Sequence, residues 1–321
     1  MRLFTQFLVA VALALTGPAF AADPWPSHPI RLVVPLPPGG GGDMVARLVA
    51  AELSTRLGQT VVVDNKAGAG SIIGTQAVAS ARPDGYTLLF ATDFHAINGA
   101  FGKLPYDSIK DFAPVSQLVE LQIILLARPG LGVKTLPELM AAAKKEPKRI
   151  VFGSPGTSSP HFLAAKLLQQ RASAELLEVP YQGTGPASVA FLGGHVDLMF
   201  SGVGAGLQLA QSGRAVALAV TGTRRDPVAP AVPTVAESGY PGYAIVSWMG
   251  VLAPAGTPVV IVNRVNAALR EALEDKAVVD KLAAGGFTVA TGTPQAFGGL
   301  IAADIDKLRQ IIQAAGAAAE R

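Results

Sequence analysis

The feature that most limits how this chain of 321 residues can fold is an alternation of short apolar segments with longer amphipathic ones. Residues 31–36 and 61–64 are apolar enough for buried strands, and residues 44–57 between them place their apolar side chains on one face of a helix. Strands that alternate with helices form parallel sheets covered on both faces. We therefore predict an α/β fold with a parallel sheet, and the length of the chain suggests two domains.

The same alternation continues to the end of the chain, with turn and cap residues at the segment boundaries. Asp43 is predicted to cap the first helix, and Gly58 to end it. Thr135 with Glu138 forms a capping box, and Pro160 is predicted to begin a helix behind a Ser159 cap. The predicted strands are residues 31–36, 61–64, 87–91, 150–153, 175–181, 196–201, 216–221 and 244–252. The other predicted helices are residues 71–81, 135–145, 187–192, 258–274 and 294–315.

The N-terminal residues have the pattern of a secretory signal peptide. One positive charge at Arg2 precedes an apolar run at residues 7–15, and Ala19-Phe20-Ala21 matches an A-x-A cleavage pattern. The alternative, an N-terminal membrane anchor, is disfavoured because the apolar run is far shorter than the roughly 20 residues that span a bilayer. We expect residues 1–21 to be a signal peptide that is cleaved after Ala21.

The sequence contains no cysteine, which excludes disulfides, thiol nucleophiles, cysteine zinc ligands and a bacterial lipid anchor. A secreted protein without disulfides depends on its hydrophobic core, and about 300 mature residues are enough to form one. The chain has 26 lysines and arginines against 23 acidic residues, with no basic cluster that would follow a phosphate backbone. We therefore expect no nucleic-acid partner.

Two strand–loop–helix units, at residues 33–43 and 151–159, match each other in composition. Each places a small loop rich in glycine, proline or serine at the carboxyl end of a strand, where open α/β folds bind ligands. The following helix N-terminus offers free N–H donors to an anion. One such loop alone is equally consistent with a tight turn, but two matched loops favour binding of the two ends of a small carboxylate. The candidate ligand-binding residues in these loops are Pro38, Gly39, Gly40, Gly41, Gly42, Asp43, Ser154, Gly156, Thr157, Ser158 and Ser159.

Enzymatic interpretations are less consistent with the sequence. Gly68, Gly70 and Gly74 form a G-x-G-x-x-x-G pattern, and Asp93 follows where a ribose-binding acid would lie in a dinucleotide-dependent oxidoreductase. However, four residues separate the preceding strand from Gly68, so the tight turn of that motif is lost. No G-x-S-x-G nucleophile motif occurs, the four histidines lack metal-binding spacing, and His161 is interpreted as a packing or capping residue. We expect no catalytic activity, no cofactor and no bound metal.

Longer motifs resemble one family of transport receptors. Residues 29–40 (PIRLVVPLPPGG), with Asp43 and Arg47, are similar to the opening of the tripartite tricarboxylate transporter receptors, also called the Bug family. The resemblance covers essentially the whole mature chain in the family's order. It continues through residues 57–59, 61–70, 82–89, 96–98, 104–107, 111–115, 179–183, 193–197 and 253–258.

This resemblance implies a type II periplasmic-binding-protein fold, in which two α/β domains are joined by crossing strands and enclose a ligand cleft. It implies a receptor in the periplasm of a Gram-negative bacterium that hands a small carboxylate to the membrane subunits of a tripartite tricarboxylate transporter. We expect a monomer in which residues 22–122 and 246–321 form one domain and residues 123–245 the other. Dicarboxylates, tricarboxylates, amino acids and aromatic acids all remain open as the solute.

The resemblance also adds Gly70, Ser71 and Asp93 to the candidate cleft residues. Typical members have Thr or Ser where this chain has Gly42, which removes a hydroxyl donor, and Asp93 replaces a more usual small or hydroxylated residue. If Asp93 points into the cleft, it would repel a carboxylate and favour an ammonium or hydroxyl group; a solvent-exposed position is the alternative. Asp197 is a further candidate ligand contact, although a structural role in a turn is the favoured interpretation.

Overall fold

The structure is a computed structural model that describes residues 25–156 and 159–314, and within these ranges the chain forms two β-sheets flanked by helices. The first sheet has the order β11-β4-β10-β3-β1-β2, with strands β1 (Ile30–Val34), β2 (Val61–Asn65), β3 (Thr87–Thr92), β4 (Phe112–Leu121), β10 (Ser247–Pro254) and β11 (Thr288–Val289). The second has the order β7-β6-β8-β5-β9, with strands β5 (Ile123–Ala127), β6 (Val151–Ser154), β7 (Leu177–Pro180), β8 (Leu198–Gly202) and β9 (Val216–Val220). Each sheet is the centre of one α/β domain.

Helices cover both sheets and bury their apolar faces. Those against the first sheet are α1 (Gly41–Leu57), α2 (Ile72–Ala79), α3 (Phe94–Phe101), α8 (Val259–Glu274), α9 (Lys276–Ala284) and α10 (Pro294–Ala314). Those of the second domain are α4 (Leu136–Lys145), α5 (Pro160–Ala172), α6 (Thr184–Leu192) and α7 (Val203–Gln211). The apolar stripe predicted for α1 is confirmed, since Val45, Val49, Leu53 and Leu57 are all buried.

Several predicted helix boundaries are confirmed by their caps. The hydroxyl of Thr135 accepts the N–H of Glu138 at 3.3 Å, and the hydroxyl of Ser159 accepts an N–H of the first turn of α5 at 3.1 Å. Gly58 ends α1 with a left-handed φ of 72°. The start of α1 was predicted incorrectly: the helix begins at Gly41, so Asp43 lies within its first turn and is not its cap.

The predicted parallel pairing is found in only part of each sheet. Strands β1, β2 and β3 are parallel to one another, as are β6, β7 and β8. However, β10 is antiparallel to both β3 and β4, and β5 is antiparallel to both β8 and β9. The sequence prediction omitted β4 and β5, because they lie in a nearly continuous apolar stretch without a single period, and it also omitted α3, α7, α9 and β11.

The chain crosses between the two sheets at Gln122 and again before β10, and Thr221, which follows β9, is hydrogen-bonded to both crossings. Its carbonyl accepts the N–H of Ile245, at the second crossing, at 2.9 Å. The N–H of Ile123 donates to the hydroxyl of Thr221 at 3.2 Å, and the N–H of Thr221 donates back to the carbonyl of Ile123 at 3.0 Å. The buried side chain of Gln122 accepts the N–H of Gly222 at 3.1 Å. Paired crossing strands of this kind are the natural hinge for rotation of one domain relative to the other.

Gly222→Ala is expected to lower the free energy of unfolding by about 1–3 kcal/mol. A Cβ atom at this position would lie 2.2 Å from Oε1 of Gln122, so the buried amide would have to leave its hydrogen bond. Urea unfolding of Gly222→Ala, Gln122→Ala and the double variant measures the coupling between the two residues. Gln122→Ala removes the clashing group. The loss of stability in the double variant should therefore be smaller than the sum of the losses in the two single variants. Additive losses would contradict this packing.

The last helix contacts both domains. α10 packs against α3 and β4 of the first domain and against α5 of the second. Its Asp304 accepts Nε1–H of Trp248 at 2.8 Å and pairs with Lys307 at 2.7 Å. Trp248 is buried on β10 with its ring edge-on to Phe297, as expected of a core aromatic. α10 therefore connects the domains beside the two crossings.

The predicted signal peptide lies outside the described residues. Among the residues that are described, no helix is both long enough and apolar enough to cross a bilayer. The division at residues 122/123 and 245/246 stays a prediction, and the strands of each sheet fall within the residues assigned to one domain.

Candidate functional site

A cavity of about 500 Å³ lies between the two domains. The first domain contributes residues that follow β1 and β3 and the start of β10, and the second contributes the first turns of α5 and α6 and the end of β8. Most of the wall is apolar, formed by Leu36, Phe94, Leu121, Ile123, Met199, Phe200 and Met249. An apolar concavity with a few converging polar groups is typical of a small-molecule site.

The first glycine-rich loop joins β1 to α1 at the border of this cavity. Pro38, Gly39, Gly40 and Gly41 are exposed, and the first amides of α1 have no partner within the helix. Gly42 is buried: a Cβ atom there would lie 2.5 Å from Cδ1 of the cavity-lining Leu36. The sequence interpretation treated Gly42 as the loss of a hydroxyl donor; the structure adds that a side chain at this position would have to displace the end of Leu36 on the cavity wall.

Asp43 fixes the shape of the loop. Its Oδ2 accepts the N–H of Gly39 and Nε–H of Arg47, each at 2.9 Å, and its Oδ1 accepts the side-chain amide of Asn65 at 2.9 Å. The hydrogen bond from Arg47 is the main reason that the pKa of Asp43 is lowered to about 2. Because the buried carboxylate already has these donors, Asp43 holds the loop in place, and the amide of Gly39 is not available to a ligand.

The second loop, after β6, is shaped by its own serines. The hydroxyl of the fully buried Ser154 accepts the N–H of Gly156 at 3.1 Å. The carbonyl of Gly156 accepts both the N–H of Ser159, at 3.1 Å, and its hydroxyl, at 2.7 Å. Thr157 and Ser158 lie outside the described residues. The three described candidates thus form the scaffold of the loop, and α5 begins immediately after it, with Pro160 on the cavity wall.

Gly70 and Ser71 do not line the cavity; they hold neighbouring segments in place. The hydroxyl of Ser71 donates to the carbonyl of Pro35 at 3.0 Å. The carbonyl of Gly70 accepts the side-chain amide of Asn98, on α3, at 2.7 Å. Both contacts link the loop before α2 to segments that approach the cavity, so their role is to position those segments.

Asp197 lies away from the cavity, in the structural role that the sequence favoured. Its Oδ1 pairs with Nε of Arg128 at 2.5 Å, and its Oδ2 accepts the N–H of Val151 at 2.8 Å. It precedes β8, whereas Ser201 and Gly202 at the other end of that strand line the cavity. Ser201 lies four residue steps along the strand from Asp197, which is roughly 13 Å. Its inclusion among the candidate ligand contacts is not supported by this position.

Asp93 does lie on the cavity wall, where β3 passes into α3. Its own N–H donates to the carbonyl of Trp248 at 3.1 Å, which fixes it beside β10. Burial raises the pKa of Asp93 to about 6; a hydrogen bond with Ser247 opposes the increase, and the nearby carboxylate of Asp304 adds to it. Of the two positions left open by the sequence, the structure favours the cleft.

The structure adds polar residues that the sequence interpretation did not select. His161, in the first turn of α5, lines the cavity, and burial lowers its pKa to about 4, so that its imidazole is neutral at pH 7. Its Nδ1 atom and the hydroxyl of Thr92 are buried without a hydrogen-bond partner in the described part of the chain. Buried polar atoms are almost always hydrogen-bonded, so two unpaired atoms of cavity-lining residues indicate a partner that the described residues do not supply.

A third strand–loop–helix unit, from β7 to α6, also reaches the cavity. Thr184 and Gly185 begin α6 on the cavity wall, and the capping residue, Gly183, has no side chain that could accept an N–H of the first turn. The amides of this first turn are therefore open to a ligand. Ser188 and Ser201 add hydroxyl groups to the same wall. The sequence already contains an indication of this third loop. Gly183 and Gly185 follow the strand predicted at residues 175–181, and glycines after a predicted strand are the pattern that identified the first two loops.

The site and the fold can be compared with those of known proteins. The profile of the tripartite tricarboxylate transporter family receptors matches residues 45–317. The BugT protein of Bordetella pertussis is 37% identical over 319 residues, which cover 98% of each chain. The chain belongs to this receptor family. The receptor is therefore a periplasmic-type solute-binding protein rather than an enzyme.

Solved structures of similar proteins extend this comparison. The receptor superposes on an R. palustris protein solved with adipate with a TM-score of 0.76 and 32% identity, covering 91% of this chain and 98% of the other. The MatC protein of Rhodopseudomonas palustris, solved with bound malate, gives a TM-score of 0.72 and 34% identity over 90% of this chain and 100% of the other. These structures share the two-domain fold of periplasmic solute-binding proteins.

Proposed function

We propose that the receptor captures a small carboxylate in the cavity between its domains and delivers it to the membrane subunits of a tripartite tricarboxylate transporter. The observation that carries this proposal is a cavity built by both domains, with free backbone donors of α6 on its wall. Adipate and malate, the ligands of the two similar structures, are small carboxylates. The same assignment includes secretion to the periplasm after cleavage behind Ala21, and action as a monomer without nucleic acid.

The carboxylate would be held without a positively charged side chain. No lysine or arginine lines the cavity in the described part of the chain. On the second domain the donors are the N–H groups of Thr184 and Gly185 and the hydroxyls of Thr184 and Ser201, whereas the hydroxyl of Ser188 donates to the carbonyl of Thr184 at 2.8 Å. The first amides of α1, which follow the cavity-lining Leu36 in the chain, are the candidate donors of the other domain, and Thr157 and Ser158 stay candidates. A helix N-terminus contributes roughly 0.3–1 kcal/mol to anion binding, and up to about 2 kcal/mol when partly buried.

Ligand binding would couple to rotation of the domains. A solute that contacts both walls gains interactions only when the walls approach each other, so it favours the closed arrangement. The crossings at Gln122 and Ile245, which are linked by hydrogen bonds through Thr221 and Gly222, are the hinge for that movement. The closed arrangement would present to the transporter a surface that the empty receptor does not.

A thermal-shift screen of residues 22–321 against dicarboxylates, tricarboxylates, amino acids and aromatic acids tests this function. One class of carboxylate should raise the melting temperature, because a ligand at about 100 times its Kd adds about 2.7 kcal/mol of stability. That corresponds to a shift of roughly 5 °C for a protein of this size. A response to NAD or a metal ion, with none to any acid, would contradict the receptor assignment.

Substitution of the donors on the second domain tests their role directly. Thr184→Val combined with Ser201→Ala should weaken binding of the acid found in the screen at least 10-fold, a loss of about 1.4 kcal/mol, because hydrogen bonds to a charged group are removed. Thr55→Val is the matched control, since Thr55 is exposed on α1 and bonds only within its own helix. Titration calorimetry measures both. Equal affinities for the two variants would remove Thr184 and Ser201 from the site.

A further inference from the structure

The side chains that line the cavity include a negative charge and no positive one within the described residues. Its polar lining consists of hydroxyl groups, the imidazole of His161 and the carboxylate of Asp93. At neutral pH the imidazole is uncharged, because burial lowers its pKa to about 4. Within the described residues, Asp93 is therefore the only charged side chain on the wall, and its charge is negative.

Among the described residues no lysine or arginine forms an ion pair with Asp93, although Lys307 lines a small cavity beside it. The elements packed around it are β10, which brings Ser247 and Trp248, α5, which brings His161, and α10, which brings Asp304 and Lys307. The ammonium group of Lys307 pairs with Asp304 at 2.7 Å and contacts the carbonyl of Ala244 at 3.5 Å. Asp304 contributes a second negative charge near Asp93. Because Asp304 and Lys307 offset each other, the neighbourhood leaves the charge of Asp93 unbalanced.

A partly buried carboxylate without a counter-charge is unfavourable, and the cost increases when a cleft closes and excludes water. A dicarboxylate would bring more negative charge to this wall. A ligand with a positive group beside Asp93 would instead supply the missing counter-charge. A metal ion is a poor candidate for that group, since no cluster of three or more His, Asp or Glu able to hold one occurs among the described residues.

We propose that the solute of this receptor is a zwitterionic amino carboxylate, whose ammonium group binds Asp93 while its carboxylate binds the donors of the helix ends. The inference rests on the proposed function, because it concerns the ligand of the same cavity. The unpartnered hydroxyl of Thr92 and Nδ1 of His161 lie on the same wall and offer further neutral contacts. Asp93 is then the residue that separates amino carboxylates from dicarboxylates such as adipate and malate.

Matched ligands test this inference. α-Amino acids and ω-amino acids of three to six carbons are each compared with the dicarboxylate and the unsubstituted monocarboxylate of the same length, by titration calorimetry at pH 7.5. We expect at least one amino carboxylate to bind 10-fold or more tightly than both of its partners. If dicarboxylates bind more tightly throughout, the role of Asp93 is overturned while the receptor function stands. If no acid binds, the proposed function fails as well.

Asp93→Asn tests the residue itself. The variant should bind the preferred amino carboxylate at least 10-fold more weakly and the matching dicarboxylate more tightly, with an unchanged or higher melting temperature. Asp280→Asn changes the net charge equally at an exposed position and should leave both affinities unchanged. An unchanged ligand preference in Asp93→Asn would overturn the assignment.

The pH dependence of the wild-type receptor gives an independent test that requires no substitution. As the pH falls from 7.5 to 5, Asp93 takes up a proton, because its pKa is raised to about 6 by burial. Affinity for the amino carboxylate should decrease and affinity for the dicarboxylate should increase over this interval. His161, with a pKa of about 4, stays mainly neutral over the same interval. Parallel changes for the two ligands would contradict the inference.

Discussion

Gly250→Ala is expected to destabilise the receptor by about 3 kcal/mol or more, at the upper end of the range for overpacked cores. Gly250 lies in the interior of β10, which is hydrogen-bonded on one side to β3 and on the other to β4. A Cβ atom there would lie 2.2 Å from Cζ of the buried Phe297 and 2.7 Å from the carbonyl oxygen of Ser116. Because both neighbours are held in place, neither the strand nor the ring can move away without loss of packing.

Thermal and urea unfolding measure this effect. For a chain of this length the melting temperature should fall by roughly 6 °C. Gly299→Ala is the control, because Gly299 is exposed on α10 and an added Cβ there meets no atom within 4 Å. That substitution should be neutral or raise stability by up to about 1 kcal/mol, as alanine favours a helix over glycine. A Gly250→Ala protein as stable as the control would show that β10 is not closely packed.

Asp43→Ala is expected to lower the free energy of unfolding by about 2–4 kcal/mol, because a buried carboxylate with three hydrogen bonds is removed. Since the pKa of Asp43 is lowered to about 2, from 3.8, the carboxylate stabilises the folded state fully above pH 4. That contribution decreases as the pH falls from 4 towards 2. The stability difference between wild type and variant should therefore be constant from pH 7 to 5 and smaller at pH 3.

Urea unfolding at these pH values measures the difference. Asp280→Ala removes an exposed aspartate that pairs with Lys276 and should cost less than about 0.5 kcal/mol. The same Asp43→Ala protein also tests the glycine-rich loop, which loses the acceptor for the amide of Gly39. If the loop binds ligand, affinity should fall at least 10-fold at pH 7. A destabilised variant with unchanged affinity would limit Asp43 to a structural role.

Most of the fold could be predicted from the sequence, because local rules determine its helix boundaries. Thr135, Ser159 and Gly58 act as caps or terminators in the way that their side chains or backbone freedom require. Strand direction could not be predicted in this way. β10 is predicted as an apolar strand whichever way it runs, and β5 was not predicted. The antiparallel pairing of both strands follows from the path of the chain between two sheets.

The candidate site was predicted less completely, and the reason is physical. Loop composition identified segments near the cavity. It could not show which polar groups of these segments already have hydrogen-bond partners within the protein. Ser154 and Ser159 have the hydroxyls expected of ligand contacts, yet both are consumed by hydrogen bonds within the loop. Conversely, Thr92 and His161 are candidates because each has a buried polar atom without a hydrogen-bond partner. Segments distant in the sequence bury these atoms. Such burial has no local signature.

The contact between α5 and α10 has a consequence for how occupancy is sensed. α5 begins at the cavity and, about 20 Å further along its axis, ends beside the last helix of the other domain. If the domains close around a ligand as proposed, α5 would move as a rigid body, and a shift of its first turn would displace its far end relative to α10. Ligand binding would then change a surface that does not contact the solute. Because the chain has no cysteine of its own, one introduced at Gln170, beside that surface, would carry a fluorophore that converts the receptor into a sensor.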